Sequence, residues 1–359
     1  MKKWMLAALV LLPGCTVNEE RPAEEQAALT NDTVDTGQVA EVIATNLTIP
    51  WDITKPKDDF FISQRGGNIV HVHPDGKKEE MQLKLKKTVS HEGEGGLLGF
   101  ELDTDFHENS LAYVYHTYRD GERLLNRIVQ VQKVENGWEE TKELLARIPG
   151  GSIHNGGRLA IGPDSKLYAT AGDAGVKDSA QNKQALSGKI LRLNLDGSIP
   201  EDNPFSDSYV YTLGHRNPQG MAWAEDGTMY AAEHGQSAHD EINTIKPGRN
   251  YGWPVIEGDE KQEGMETPLF HSGEETWAPS GMAFKGGKLF VAALRGEKVL
   301  SFDLKNHEIT VFYSGAGRLR DVYVSNNYLF IVTNNTDGRG TPAENDDRLL
   351  RLPLSITSH

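Results

Sequence analysis

One strand–turn–strand grammar, repeated six times, constrains this chain more than any other feature. Each copy reads as an apolar-alternating strand, a Gly/Asp/Asn turn and a second apolar strand. The copies begin near Trp51 (WDITKPKDDFFISQR), Leu97 (LLGFELDTDFHENSLAYVYHTY) and Arg158 (RLAIGPDSKLYATAGD). The others begin near Gly220 (GMAWAEDGTMYAAEHG), Gly281 (GMAFKGGKLFVAALRG) and Arg320 (RDVYVSNNYLFIVTNN). A spacing of about 40–60 residues suits propeller blades carrying loop insertions. Apolar stretches between the copies, such as Lys189–Leu195 and Val299–Leu304, supply the further strands. The expected fold is all-β: a six-bladed β-propeller with four-stranded antiparallel blades, closed so that no sheet edge stays exposed. A pair of β-sandwiches is the alternative. In a propeller the inner-strand ends surround a central mouth. Those ends are Gln64-Arg65, Asp173, Glu233-His234-Gly235, Leu294-Arg295 and Thr333-Asn334.

The chain ahead of the repeats reads as an address. Lys2 and Lys3 precede an apolar run from Trp4 to Leu12, followed by Pro13-Gly14-Cys15. A basic region, a short apolar region and small residues before a cysteine form an export signal. The run is roughly half the 20 residues that a spanning helix needs. Leu12-Pro13-Gly14-Cys15 resembles the lipobox of bacterial lipoproteins, which implies a signal peptide over 1–15 and an acylated Cys15. Residues 16–38 are acidic and poor in large apolar side chains, so they read as a flexible tether. The expected catalytic propeller then spans 39–359, extracytoplasmic and attached to the membrane only through the lipid. Cys15 is the only cysteine, which excludes an intramolecular disulfide. A net charge of −15 argues against nucleic acid as a partner.

Three groups of residues carry chemistry. In GGSIHNGGRLAIGPDSKLYATAGDAG, His154 and Asp173 sit at the open ends of a hairpin. An imidazole held by a carboxylate at the mouth of a β structure is suited to general-base work; an idle loop histidine is the plain alternative. Arg216 in GHRNPQG precedes the fourth repeat, and Arg318 and Arg320 in GAGRLRD lead into the sixth. Period-2 alternation predicts one shared face for Arg318 and Arg320. Three guanidinium groups in one mouth call for a polycarboxylate or a phosphate, unless each pairs with a nearby acid such as Asp321. The bend EHGQSAHDEIN offers the carbonyls of Gly235 and Gln236, with Asp240 and Glu241 behind them, to a hard cation such as Ca²⁺. No GxGxxG strand–helix junction, Walker loop, HExxH or GxSxG is present.

Taken together, IHNGGRLAIGPD, AGD, LGHRNPQG, DEINTIKPGRNYGWP, TWAPSG, AALRG and GRLRD resemble the soluble glucose dehydrogenase and aldose sugar dehydrogenase family over roughly residues 40–352. The resemblance implies a six-bladed propeller that binds pyrroloquinoline quinone (PQQ) and Ca²⁺ and oxidises sugars at the anomeric carbon. It implies His154 as the base for the C1 hydroxyl, oriented by Asp173, with Arg216 and Asn217 on the quinone. It further implies Arg318 and Arg320 on PQQ carboxylates, Gly235 and Gln236 on Ca²⁺, and Trp277 packed against cofactor or sugar, with a core tryptophan at a blade edge as the plain alternative for Trp277. Three positions depart from the family pattern. Glu94 stands where a glutamine is frequent, and a carboxylate there must be protonated, turned away or metal-bound. Arg295 replaces a lysine, and Gln236 replaces a proline. The rival readings are a non-catalytic surface propeller that binds glycan or protein, and a Ca²⁺-centred lactonase. The sequence names neither the sugar nor the electron acceptor.

Overall fold

The structure is a computed structural model that describes Met1 and residues 39–354. The expected signal peptide apart from Met1, with Cys15, and the expected 16–38 tether lie outside the described residues. Twenty-four strands account for nearly all the regular structure described. Four separate antiparallel sheets have four strands each, and one sheet has eight. The eight-stranded sheet consists of two antiparallel runs of four. They are joined where Gln82–Lys84 pair in parallel with Gly137–Glu139. Four-stranded antiparallel sheets in this order are those of a β-propeller.

The first strands of successive sheets are Pro50–Thr54, Leu97–Leu102, Leu159–Ile161, Pro218–Trp223, Pro279–Lys285 and Leu319–Ser325. Neighbouring sheets meet in that order, and Leu319–Ser325 returns to touch Pro50–Thr54. The N-terminal strand Glu41–Ala44 closes the circle by pairing with Leu349–Pro353 as the outer strand of the last sheet. Strand alternation puts one apolar row on each sheet face, and the rows meet in the gaps. One cluster, around Phe61, Phe100 and Trp138, fills the gap between the two halves of the long sheet. Another, around Phe270, Trp277 and Phe302, fills the gap before the Pro279–Lys285 sheet. Burial of each such side chain is worth about 1.5–3 kcal/mol, so apolar packing between faces holds the ring.

The inner strands do not keep strict alternation. Register breaks fall at Pro50/Asp52, Leu97/Phe100, Pro218/Gly220, Pro279/Met282 and Leu319/Asp321, near the start of each strand. A bulge re-aims the extra residue. Here the re-aimed side chains meet: Arg320 donates to Gln219 Oε1 at 2.9 Å and Ser280 Oγ at 3.3 Å, and lies 6.0 Å from the Trp51 ring. The shared face expected for Arg318 and Arg320 is thus modified by a bulge at Arg320 itself.

Beneath them lies a buried ion network. Arg158 bonds Asp52, approaches Asp321 at 3.2 Å and donates to the Gln219 carbonyl at 2.9 Å. Asp52 also accepts from the Phe100 amide, and Asp321 from the Ile53 amide. A Cβ on Gly281 would come within 1.6 Å of Asp321 Oδ1, so only glycine fits there. This network touches every sheet of the ring. Asp321 is therefore committed to Arg158 and not to Arg318 or Arg320.

Candidate active site

His154 follows a glycine pair in a loop whose backbone is fixed on three sides. It sits at φ +55°, its amide donates to Glu94 Oε2 at 2.9 Å, and its carbonyl accepts from the Ala174 amide at 3.1 Å. A Cβ at Gly172 would meet that carbonyl at 2.0 Å. The glycines of GGSIHNGG and AGDAG therefore let two loops cross in close contact. Asn217, expected on the cofactor, uses its Oδ1 to hold the Gly156 amide at 3.1 Å.

The imidazole Nδ1 lies 2.7 Å from Asp173 Oδ1. Asp173 is fully buried and also accepts from the Gly175 amide at 2.7 Å and from Trp253 Nε1 at 2.8 Å. Burial pushes this carboxyl up, but the hydrogen bonds from His154, Gly175 and Trp253 outweigh it and hold it below its ordinary value. An ionised carboxylate only accepts, so Nδ1 carries the hydrogen and Nε2 is the nitrogen left for proton exchange.

The arginines gather near this pair. Arg216 reaches the His234 carbonyl at 3.3 Å and lies 5.3 Å from the Trp253 ring. Arg318 reaches Leu294 O at 3.4 Å and Asp337 at 3.2 Å. His234 feels the charges of both Arg216 and Arg320, as well as Glu94 and Asp240. Burial, helped by the charges of Arg65 and Arg318, pushes Arg320 down to about 9. The Nε atoms of Arg216, Arg318 and Arg320, and Nε2 of His234, are all buried without a hydrogen-bond partner. Unpaired buried donors are costly, and one anion with several oxygens would satisfy them. That donor set fits a polycarboxylate cofactor.

Glu94 is ionised and already partnered. Burial raises its carboxyl, but the His154 amide and the charges of His234 and Arg339 bring it below its ordinary value. It pairs with Arg339 at 2.9 Å. Arg295 is exposed, with its amide donating to Trp277 O at 3.1 Å, next in the chain to the Leu294 carbonyl that Arg318 reaches. Trp277 takes the core place that was its plain alternative. Its ring is 1% exposed and packs edge-on to Phe302 at 5.5 Å, inside the apolar core. Trp253, from the YGWP segment, takes the aromatic place beside Arg216 and Asp173 instead.

At the candidate cation loop, the Gly235 amide donates to Asp240 Oδ1 at 2.9 Å and the Gln236 amide to Glu257 at 3.2 Å. No hydrogen bond is made to the carbonyl oxygens of Gly235 or Gln236 among the described residues. A Cβ at Gly235 would lie 1.9 Å from Ala238 O, so the bend demands glycine. Asp240 itself is spent on the amides of Gly235, Trp277 and Ala278. Two free carbonyls fit a hard cation that takes its remaining oxygens from a bound ligand or water. A small cleft lined by Gly235 and His239 of this loop reaches Arg216, His234 and Trp253.

Sequence reasoning missed Trp253, Arg339, Asp337 and Arg158 as parts of the site or its floor. Arg65 and His234 were marked only as strand ends at the mouth. Arg65 donates to the carbonyls of Gly93 and Gly95, and so supports the turn that carries Glu94. The strand-end position was the available signal for these two.

The family model for glucose/sorbosone dehydrogenase matches residues 47–351. Quinoprotein glucose dehydrogenase B of Acinetobacter calcoaceticus is 36% identical over 251 residues. That match covers 61% of this chain and only 52% of the relative, about half its length. Aldose sugar dehydrogenase YliI of Escherichia coli is 28% identical over 340 residues, covering 83% of this chain and 90% of the relative. The PQQ-bound form of an aldose sugar dehydrogenase from Streptomyces coelicolor superposes with a TM-score of 0.82 at 39% identity, covering 87% of this chain and 96% of that one.

Proposed function

This chain belongs to the glucose/sorbosone dehydrogenase family of oxidoreductases, and we propose that it uses PQQ and Ca²⁺ to oxidise the C1 hydroxyl of aldose sugars to lactones. The observation that carries this reading is the His154–Asp173 pair set beside arginines whose buried Nε atoms have no partner. On this reading the two halves of the eight-stranded sheet count as separate blades, for six in all, with this site at their mouth.

When bound, PQQ supplies a two-electron acceptor for the hydride that leaves sugar C1. The chain's own residues do the rest. His154 Nε2 takes the proton of the C1 hydroxyl, and Asp173 stabilises the resulting imidazolium through Nδ1–H. Trp253 and Gly175 keep Asp173 ionised and in place. Arg318 and Arg320 would hold cofactor carboxylates, and Arg216 would stand near charge that develops during the reaction. Asn217 acts indirectly, by fixing the Gly156 turn next to His154. Gly235 and Gln236 would hold Ca²⁺ through their carbonyls, where it supplies Lewis-acid polarisation. Glu94, paired with Arg339, positions the backbone of the base. The leader ending at Cys15 supports an extracytoplasmic enzyme on a lipid anchor.

The test is reconstitution of the purified apoprotein with PQQ and Ca²⁺, followed by dye reduction across a panel of aldoses. Turnover that requires both additions supports the reading. Absence of any PQQ binding or any turnover would overturn it in favour of a non-catalytic propeller.

A further inference from the structure

A second cluster of ligating side chains lies at the opposite end of the strand Phe60–Gln64 from Arg65. Asp59 precedes this strand, and His71 and His73 lie at the far end of its partner, Asn68–Val72. Residues two apart share a strand face, so both imidazoles turn the same way, with ring centroids 4.0 Å apart. The Phe61 ring, 4.7 Å from His71, forms a buried apolar floor under them.

Asp59 Oδ1 is 3.1 Å from His71 Nε2 and 3.5 Å from His73 Nδ1. A hydrogen bond accounts for the first contact alone. It leaves unexplained why a second imidazole converges on the same oxygen. Metal–ligand bonds of about 2.0–2.1 Å in a tetrahedron put ligand atoms about 3.3 Å apart. The two observed separations bracket that edge length. One potential ligand atom from each of the three residues lies within 4.8 Å of the others. His73 Nε2 faces Glu79 Oε1 at 3.5 Å, an oxygen that also pairs with Lys77 at 2.7 Å. A carboxylate behind a ligating imidazole fixes its tautomer and orientation.

We propose that Asp59, His71 and His73 bind one divalent transition-metal ion of the zinc class, with the fourth position open to water. Two imidazoles and a carboxylate favour such an ion over Ca²⁺, which prefers an all-oxygen shell. The site ties the turn before Phe60 to the next strand and is separated from the mouth by the length of the strand, about 17 Å. Its role is to clamp the first sheet, and Glu79 is a positioning residue that acts through His73.

The test titrates the metal-free full-length protein, without an affinity tag and with Ca²⁺ in excess, with ZnCl₂. The expected result is one bound equivalent and a Zn²⁺-dependent rise in Tm. His73→Ala and Asp59→Asn should each weaken binding by at least about tenfold and abolish the rise, and Glu79→Gln should weaken it by about tenfold. His107→Ala, at an exposed histidine elsewhere, should change neither. If His73→Ala fails to fold, Asp59→Asn decides alone, because Asp59 is partly exposed. No bound zinc in the wild type, or equal binding in the Asp59→Asn variant, would overturn the proposal.

Discussion

His154 Nδ1 lies 2.7 Å from Asp173 Oδ1, and the other oxygen of Asp173 is held by Trp253 Nε1 at 2.8 Å. The pair is one unit in which Asp173 sets the tautomer and His154 presents a free Nε2. Asp173→Asn keeps the shape but removes the acceptor that demands Nδ1–H. It should lower kcat by on the order of 10²–10⁴-fold, with PQQ affinity retained. Steady-state dye reduction and a PQQ titration on the same variant check this.

The depressed carboxyls of Asp173 and Glu94 predict an acid-side loss of stability. A folded-state value below the unfolded one favours the ionised form in the fold. Its contribution is complete above the unfolded values near 3.8 and 4.5, and is lost as pH falls through the lower folded values. The stability gap between wild type and Asp173→Asn or Glu94→Gln should therefore shrink on acidification below about pH 4. Urea unfolding from pH 7 to pH 3 measures that gap. A constant gap would contradict the assignment.

Arg320 is buried, bulged toward Gln219 and Ser280, and has an unpartnered Nε. Arg320→Lys keeps a charge but loses the fork, so PQQ affinity should fall by about tenfold or more. Arg295→Lys, at an exposed position, should have a far smaller effect. Quenching of tryptophan fluorescence by added PQQ reads both.

Much of this arrangement was legible in the sequence, for identifiable reasons. Period-2 apolar patterning and Gly/Asp turns report directly on strands, so the repeats mark the first two strands of each sheet. His154, Asp173 and the arginines stand out because polar residues at strand ends sit beside glycines. The register breaks at Pro218/Gly220 and Leu319/Asp321 were not legible, because a bulge leaves no mark in an alternating pattern of this length. Those bulges decide where Gln219 and Arg320 point. That Trp277 fills the core while Trp253 lies beside Asp173 and Arg216 was not legible for a similar reason: an aromatic in a Gly/Pro-rich loop gives no sign of which face it covers. The pairing of Asp321 with Arg158 joins residues more than 160 positions apart, which only ring closure brings together.

The Arg158 network makes its own prediction. Arg158→Ala leaves Asp52 and Asp321 facing each other in the buried centre without their cation. Breaking a buried pair costs about 3–5 kcal/mol, so the variant should melt well below the wild type. A melting temperature close to that of the wild type would show that apolar packing alone holds the ring centre.

The most direct test of the central claim is a single-turnover experiment on PQQ-loaded His154→Ala. Sugar is mixed with the loaded protein without an external acceptor, and the quinone absorbance is followed. The predicted result is sugar-driven reduction slowed by on the order of 10²–10⁴-fold, with PQQ bound as tightly as in the wild type. Reduction at the wild-type rate would contradict the assignment of His154 as the base.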